Sequence, residues 1–114
     1  MAEQPMTREE IVEDIKNNLE VLTPKAVSDY TVQLSILLGE LGTDLALAEI
    51  EYAKKWDALR IHCDTDGQAE KKSKATEEYY KRRMLEFRFK STKELIQSLK
   101  KRLTVLSDEA HNNY

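Results

Sequence analysis

The chain has 114 residues, of which 40% are apolar and 34% charged, and its net charge is −3. This length favours a single domain, and with 3 glycines and 2 prolines the composition is dominated by helix-forming residues. The single cysteine excludes a disulfide scaffold, because it cannot pair within its own chain. No window approaches about 18 consecutive apolar residues, and the N-terminal sequence MAEQPMTREE lacks the layout of a signal peptide. We therefore expect a cytoplasmic protein without a membrane span.

The first predicted helix spans about residues 7–20. Thr7 and Glu10 form the pattern of a capping box, in which each side chain satisfies a free backbone N–H of the other residue. Three turns of this helix then share one apolar face, formed by Ile11, Val12, Ile15 and Leu19. Proline disfavours helix at the residue before it and suits the first turn of a helix, so Pro24 indicates a short connector over residues 21–27.

The second predicted helix spans about residues 25–63, with apolar residues at steps of three or four, close to a heptad pattern. These positions are Leu34, Leu38, Leu41, Leu45, Ala48, Tyr52, Trp56, Leu59 and Cys63. Gly39 and Gly42 interrupt the pattern and weaken the helix. Two explanations remain open, namely close approach of another helix along a stripe of small residues, or a kink or break at residues 39–42.

Residues 64–67, Asp-Thr-Asp-Gly, predict a turn, with Asp66 able to cap a third helix over about residues 68–108. The third helix carries an unbroken heptad pattern at Leu85, Phe89, Thr92, Ile96, Leu99, Leu103, Leu106 and Ala110. A short turn between two long helices makes them antiparallel. The sequence therefore predicts an all-α fold, a long antiparallel helical hairpin of coiled-coil type with a short N-terminal helix.

Both long helices carry more apolar residues than one antiparallel contact covers. The surplus consists of Ile36, Leu37, Leu47, Ile50, Ile61, Tyr80, Met84 and Phe87. Exposed apolar area on this scale is typical of interfaces, so we expect self-association into a multi-helix bundle. The predicted core of that homo-oligomer is Leu38, Leu41, Leu45, Trp56, Phe89, Ile96, Leu99 and Leu103.

Acidic and basic residues are segregated along the chain. Residues 1–66 contain 14 acidic and 6 basic side chains, whereas residues 67–104 contain 5 acidic and 12 basic ones. On a helical wheel the basic residues of the third helix form two neighbouring rows, an arrangement suited to nucleic-acid phosphates. A solvent-facing side of a bundle helix, or pairing with the acidic helix, explains the same pattern. The candidate phosphate contacts are Arg82, Arg83, Lys90, Lys93, Lys100 and Lys101.

Motifs for catalysis and metal binding are weak. The loop after His62 departs from a calcium loop, because Ser73 stands where the bidentate glutamate is required. His62 and Cys63 are adjacent on a helix and point in different directions, so we interpret Cys63 as a buried packing residue. Glu9 and Glu10 resemble the first acidic motif of all-helical nucleotide pyrophosphohydrolases, but a fitting second acidic pair is missing. We expect no enzymatic activity, cofactor, metal or small-molecule substrate.

Several short motifs occur together in the second half, at Asp64–Glu70, Thr76–Glu78, Leu95–Leu106 and Glu109–Asn112. With these motifs, about residues 30–114 resemble small helical proteins encoded by tailed bacteriophages. The resemblance implies a phage or prophage origin and the cytoplasm of a bacterial host as the location. It assigns no site residues.

Three functions remain open at this point. The leading hypothesis is a non-enzymatic, self-associating helical interaction or assembly protein of phage type. The alternative is a DNA-binding accessory protein of phage replication or recombination that uses the basic face of the third helix. A further alternative is an inhibitor of a host or defence protein, in which the acidic first half imitates a nucleic-acid surface.

Overall fold

The computed structural model describes residues 6–112, and the side chains of residues 6–109. This part contains four α-helices, one 3-10 turn at Leu19–Val21 and no strand, so the predicted all-α class is confirmed. The helices are α1 (Arg8–Asn18), α2 (Pro24–Ile61), α3 (Asp66–Ser73) and α4 (Glu77–Asn112). The side chain of Ala110, the last residue of the predicted heptad pattern, lies outside the described residues.

Helix α1 begins at the predicted capping residue, and α2 begins after Thr23, whose hydroxyl caps this helix. The Thr7 hydroxyl accepts a hydrogen bond from the Glu10 N–H at 3.2 Å and donates to the Glu10 carboxylate at 3.1 Å. At the start of α2, the Thr23 hydroxyl accepts a hydrogen bond from the Ala26 N–H at 3.1 Å. Since Pro24 is already the first residue of α2, the connector is shorter than the predicted 21–27.

Helix α2 continues through both glycines, so the predicted alternative of a break at residues 39–42 is wrong. A Cβ atom at Gly42 would lie 3.4 Å from Cε2 of Phe89, which shows that α4 passes close to this position. At Gly39, no atom of the described residues outside the backbone of α2 lies within 4 Å of the corresponding position. Close approach of a helix therefore accounts for Gly42 but not for Gly39.

The predicted third helix, residues 68–108, is divided into α3 and α4, and this part of the prediction is wrong. The Ser73 hydroxyl donates to the Glu70 carbonyl at 2.7 Å, at the end of α3. The Thr76 hydroxyl donates to the Ser73 carbonyl at 2.6 Å and accepts from the Tyr79 N–H at 3.3 Å, so Thr76 begins the next helix. Two hydroxyl groups thus end one helix and start another, as short polar side chains commonly do.

The capping residue of α3 also differs from the prediction. Thr65, and not Asp66, is the N-cap, because its hydroxyl accepts from the Gln68 N–H at 3.2 Å. The Asp66 carboxylate instead accepts a hydrogen bond from Nε of Arg60 at 2.5 Å. The same guanidinium donates through Nη1 to the Cys63 carbonyl at 2.7 Å. Arg60 therefore ties the end of α2 to the turn that follows it.

The chain divides into two compact units, unit 1 with residues 1–38 and 92–114 and unit 2 with residues 39–91. The core of unit 1 combines residues from α1, α2, α4 and the connector before α2, namely Ile11, Ile15, Leu22, Val27, Leu34, Ile96 and Leu99. Nε of Arg8 donates to the hydroxyl of Thr92 at 2.8 Å, and Thr92 is fully buried. The short N-terminal helix therefore packs within its own chain.

In unit 2, residues of α2 and α4 run antiparallel. Gly42 lies beside Phe89, whereas the Glu51 carboxylate, further along α2, lies 3.5 Å from Nζ of Lys81, which is earlier in α4. The predicted antiparallel hairpin is thus observed within this unit. The buried residues described in unit 2 are small, namely Ala48, Cys63, Ala69 and Ser73.

Candidate interaction surfaces

The structure uses much of the predicted self-association core inside the single chain. Ile96 and Leu99 are only 6% and 3% exposed in the core of unit 1, so they are not available to a second copy. Leu38 and Leu103 pack against that core as partly buried residues. The remaining predicted residues are half-buried in unit 2, at Leu41, Leu45, Trp56 and Phe89. Residues that remain available to a partner are therefore found on other faces of the helices.

Tyr80, Met84 and Phe87 form an exposed apolar surface on α4, which we call the α4 stripe. Their spacing of four and three residues places them on one face of the helix. They are 60%, 58% and 69% exposed, respectively. Phe87 also lines a shallow depression of about 230 Å³ together with Arg83, Glu86 and Lys90. The stripe therefore has basic side chains at its margin.

Leu47 and Ile50 form a second exposed apolar surface, on α2, which we call the α2 patch. They are 56% and 53% exposed, whereas the adjacent Ala48 is 1% exposed. Residues 39–53 of α2 contain four acidic side chains and no basic one. Asp44, which is exposed, lies one helical turn before Leu47. Lys54, which is also exposed, lies one helical turn after Ile50, so the margin of the α2 patch is acidic before Leu47 and carries a lysine after Ile50.

Helix α2 is the one helix among the described residues whose length and composition would allow it to cross a membrane. It contains an 18-residue window with a mean hydropathy of 1.2, and 11% of that window is buried. The sequence prediction of no membrane span rested on the absence of an uninterrupted apolar run, since Glu40 and Asp44 divide it. The core helix of a soluble protein can have the same composition, but such a helix is mostly buried. The low burial of this window therefore shows that α2 exposes apolar side chains.

Arg82 differs from the other predicted phosphate contacts because its guanidinium is engaged within unit 2. Its Cζ lies 4.2 Å from the ring centroid of Tyr52 and 5.8 Å from that of Tyr79. Its Nε lies 3.4 Å from a Glu86 carboxylate oxygen, an ion pair that does not reach hydrogen-bond geometry. The side chain is 27% exposed. Arg82 is therefore a packing residue of this unit.

The other five predicted phosphate contacts are exposed. Arg83 forms an ion pair with Glu86 at 3.1 Å, next to the α4 stripe. Lys90 lies in unit 2, and the other three lysines lie in unit 1, at Lys93, Lys100 and Lys101. In the described part of the chain none of these four lysines forms an ion pair. Their ammonium groups are therefore accessible to an anionic partner.

Cys63 is buried, at 8% exposure, and its thiol is free, whereas the neighbouring His62 is exposed. The interpretation of Cys63 as a buried residue is therefore confirmed. Among the described side chains no group of three or more histidine, cysteine, aspartate or glutamate residues is close enough to hold a metal ion.

Comparisons of the chain with protein-family models, with curated proteins and with solved structures give no significant match. What the chain does is therefore inferred from its own surfaces. The two apolar surfaces of unit 2 and the exposed lysines of unit 1 are the features that an external partner would contact.

Proposed function

We propose that the chain is a non-enzymatic, self-associating helical protein of phage type that acts as an interaction or assembly component. The exposure of five large apolar side chains on unit 2 carries this proposal. Leu47, Ile50, Tyr80, Met84 and Phe87 are between 53% and 69% exposed. Removing apolar surface from water contributes about 25 cal/mol per Å², and contiguous exposed patches of this kind mark interfaces.

The composition of helix α2 supports the same proposal. In its most apolar window 11% of the residues are buried, and Ile36, Leu47 and Ile50 of this helix are all more than half exposed. A protein that remained monomeric would keep this surface in water. Association with further helices would bury it and leave the charged residues at the rim, which is the usual anatomy of an interface.

Sedimentation velocity of the full chain, from low to high micromolar concentration, tests the proposal. The weight-average sedimentation coefficient should rise with concentration, since association follows mass action. Light scattering after size-exclusion chromatography gives the mass of the assembly. A strict monomer at high micromolar concentration would exclude self-association as the function.

A second candidate, DNA binding, is favoured by the exposed and unpaired lysines of unit 1. Ammonium groups that form no ion pair attract phosphates, and the release of counterions makes the affinity fall steeply with salt. Fluorescence anisotropy with labelled single-stranded and double-stranded DNA across a salt series tests this function. Replacing Lys100 and Lys101 by alanine should weaken binding, whereas Lys16→Ala, at an exposed basic residue of α1, should not. The absence of binding at low salt excludes this candidate.

A further inference from the structure

We infer that the α4 stripe of one copy docks on the α2 patch of a second copy. This inference rests on the proposed self-association and specifies the interface that produces it. Each copy carries both surfaces within unit 2, so two copies can exchange both contacts in a closed dimer, or each copy can contact two different neighbours in a heterologous arrangement. Heterologous contacts generate rings or open chains of copies.

The side chains of the two surfaces suit this pairing. The α4 stripe presents two aromatic rings and a methionine, all more than half exposed. The α2 patch presents two aliphatic side chains, and two helical turns before Leu47 the open position at Gly39 has no described atom outside the α2 backbone within 4 Å of its Cβ site. Large flexible side chains and rings pack well against a surface of aliphatic and small residues.

The charges around the two surfaces select the same pairing. Residues 39–55 of α2 contain four acidic and two basic side chains, whereas residues 77–91 of α4 contain five basic and three acidic ones. Asp44 and Lys90 are exposed and form no ion pair in the described part of the chain. Opposite charges attract the α4 stripe to the α2 patch, and like charges disfavour the pairing of either surface with itself.

The ion pair between Glu51 and Lys81 shows that the acidic side of α2 and the basic side of α4 match within one chain. Their carboxylate oxygen and ammonium nitrogen are 3.5 Å apart. If the acidic side of α2 in one copy met the basic side of α4 in another copy, the α2 patch and the α4 stripe would cover each other. An anionic membrane would match the α4 stripe alone and would leave the α2 patch exposed, so a second copy accounts for more of the structure.

Two variants that disable one surface each test the inference. Leu47→Lys places a basic group in the α2 patch, and Phe87→Asp places an acidic group in the α4 stripe. The matched control is Val21→Lys, because Val21 is 75% exposed and lies outside both surfaces. Circular dichroism verifies that the variants are folded, which we expect because both replaced side chains are more than half exposed.

We expect each variant to weaken self-association by about tenfold or more in sedimentation equilibrium, as central apolar interface residues do, while the control associates like the wild type. An equimolar mixture of the two variants should form a 1:1 complex. In that mixture the Phe87→Asp copy supplies an intact α2 patch and the Leu47→Lys copy supplies an intact α4 stripe.

Some outcomes overturn the inference but leave the proposed function standing. In the first, the wild type is oligomeric and neither variant weakens its self-association. In the second, only one of the two variants weakens self-association. In the third, the mixture of the two variants forms no complex. A monomeric wild type overturns both. Co-sedimentation of a monomeric wild type with vesicles of phosphatidylcholine and phosphatidylserine would assign the α4 stripe to a membrane surface instead.

Discussion

The guanidinium of Arg82 lies 4.2 Å from the ring centroid of Tyr52, and the Tyr52 hydroxyl lies 2.8 Å from the hydroxyl of Ser73. One tyrosine thus joins α2 to α4 through its ring and to α3 through its hydroxyl. Ser73 is fully buried and its hydroxyl also donates to the Glu70 carbonyl. This polar and aromatic cluster therefore links α2, α3 and α4 within unit 2.

Substitutions at Tyr52 should separate the contribution of its hydroxyl from that of its ring. Tyr52→Phe removes the hydrogen bond to Ser73 and should cost about 1 kcal/mol of folding stability. Tyr52→Leu also removes the contact with Arg82 and should cost about 2 kcal/mol or more. Urea unfolding at low protein concentration measures both values. Tyr80→Leu is the control, since Tyr80 is 60% exposed, and an equal effect of Tyr80→Leu and Tyr52→Leu would contradict the prediction.

The hydrogen bond from Arg8 to Thr92 should help to hold α1 on unit 1. Thr92→Val keeps the shape of the buried side chain but removes the acceptor of the Arg8 Nε–H, with an expected loss of about 1 to 2 kcal/mol. Amide hydrogen exchange in α1 should become faster as the helix opens more often. Ser98→Ala, at an exposed position of α4, serves as the control. Unchanged exchange in α1 of the Thr92→Val variant would show that the bond does not hold the helix.

The two glycines of α2 should respond differently to substitution. Gly39→Ala should stabilise the chain by about 1 kcal/mol, because alanine favours helix and no atom of the described residues beyond the α2 backbone lies within 4 Å of the added Cβ atom. Gly42→Leu should destabilise it, because the Cβ position is already 3.4 Å from Phe89 and a longer side chain would displace that ring. Thermal unfolding of both variants measures the difference. Stabilisation by Gly42→Leu would contradict the observed close approach.

The thiol of Cys63 should be protected from chemical labelling in the folded chain. Its exposure is 8%, so a maleimide reagent should react only when the end of α2 opens. Labelling followed by mass spectrometry should therefore be much slower in buffer than in denaturing urea. Equal rates under the two conditions would show that Cys63 is accessible in the native state.

Features that depend on neighbouring residues in the sequence could be predicted, whereas those that depend on distant partners could not. The cap at Thr7 and the start of α2 at Pro24 follow from local chemistry. The break between α3 and α4 involves Ser73, whose hydroxyl is bonded to a tyrosine 21 residues earlier. Because the surrounding residues are ordinary helix formers, the heptad pattern alone predicted one continuous helix.

The residues of both exposed apolar surfaces belong to the surplus set that the sequence predicts, whereas two residues of the predicted self-association core, Ile96 and Leu99, are buried within the chain. The pattern of α4 correctly marks Ile96 and Leu99 as apolar positions that face other helices, but these residues serve the core completed by α1. Periodicity shows that a face is apolar and does not show which helix covers it. The exposed fractions of Tyr80, Met84 and Phe87 show which apolar residues remain uncovered.

Unit 1 consists of two stretches of the chain that lie before and after unit 2 in the sequence. This order affects how the protein folds during translation. Residues 39–91 leave the ribosome as one continuous stretch, so unit 2 can fold as soon as they have emerged. Helix α1 is synthesised first, and its residues Ile11 and Ile15 belong to the same core as Ile96 and Leu99. That core is incomplete until Ile96 and Leu99 have been synthesised. During that interval the apolar face of α1 is open to chaperones or to neighbouring nascent chains.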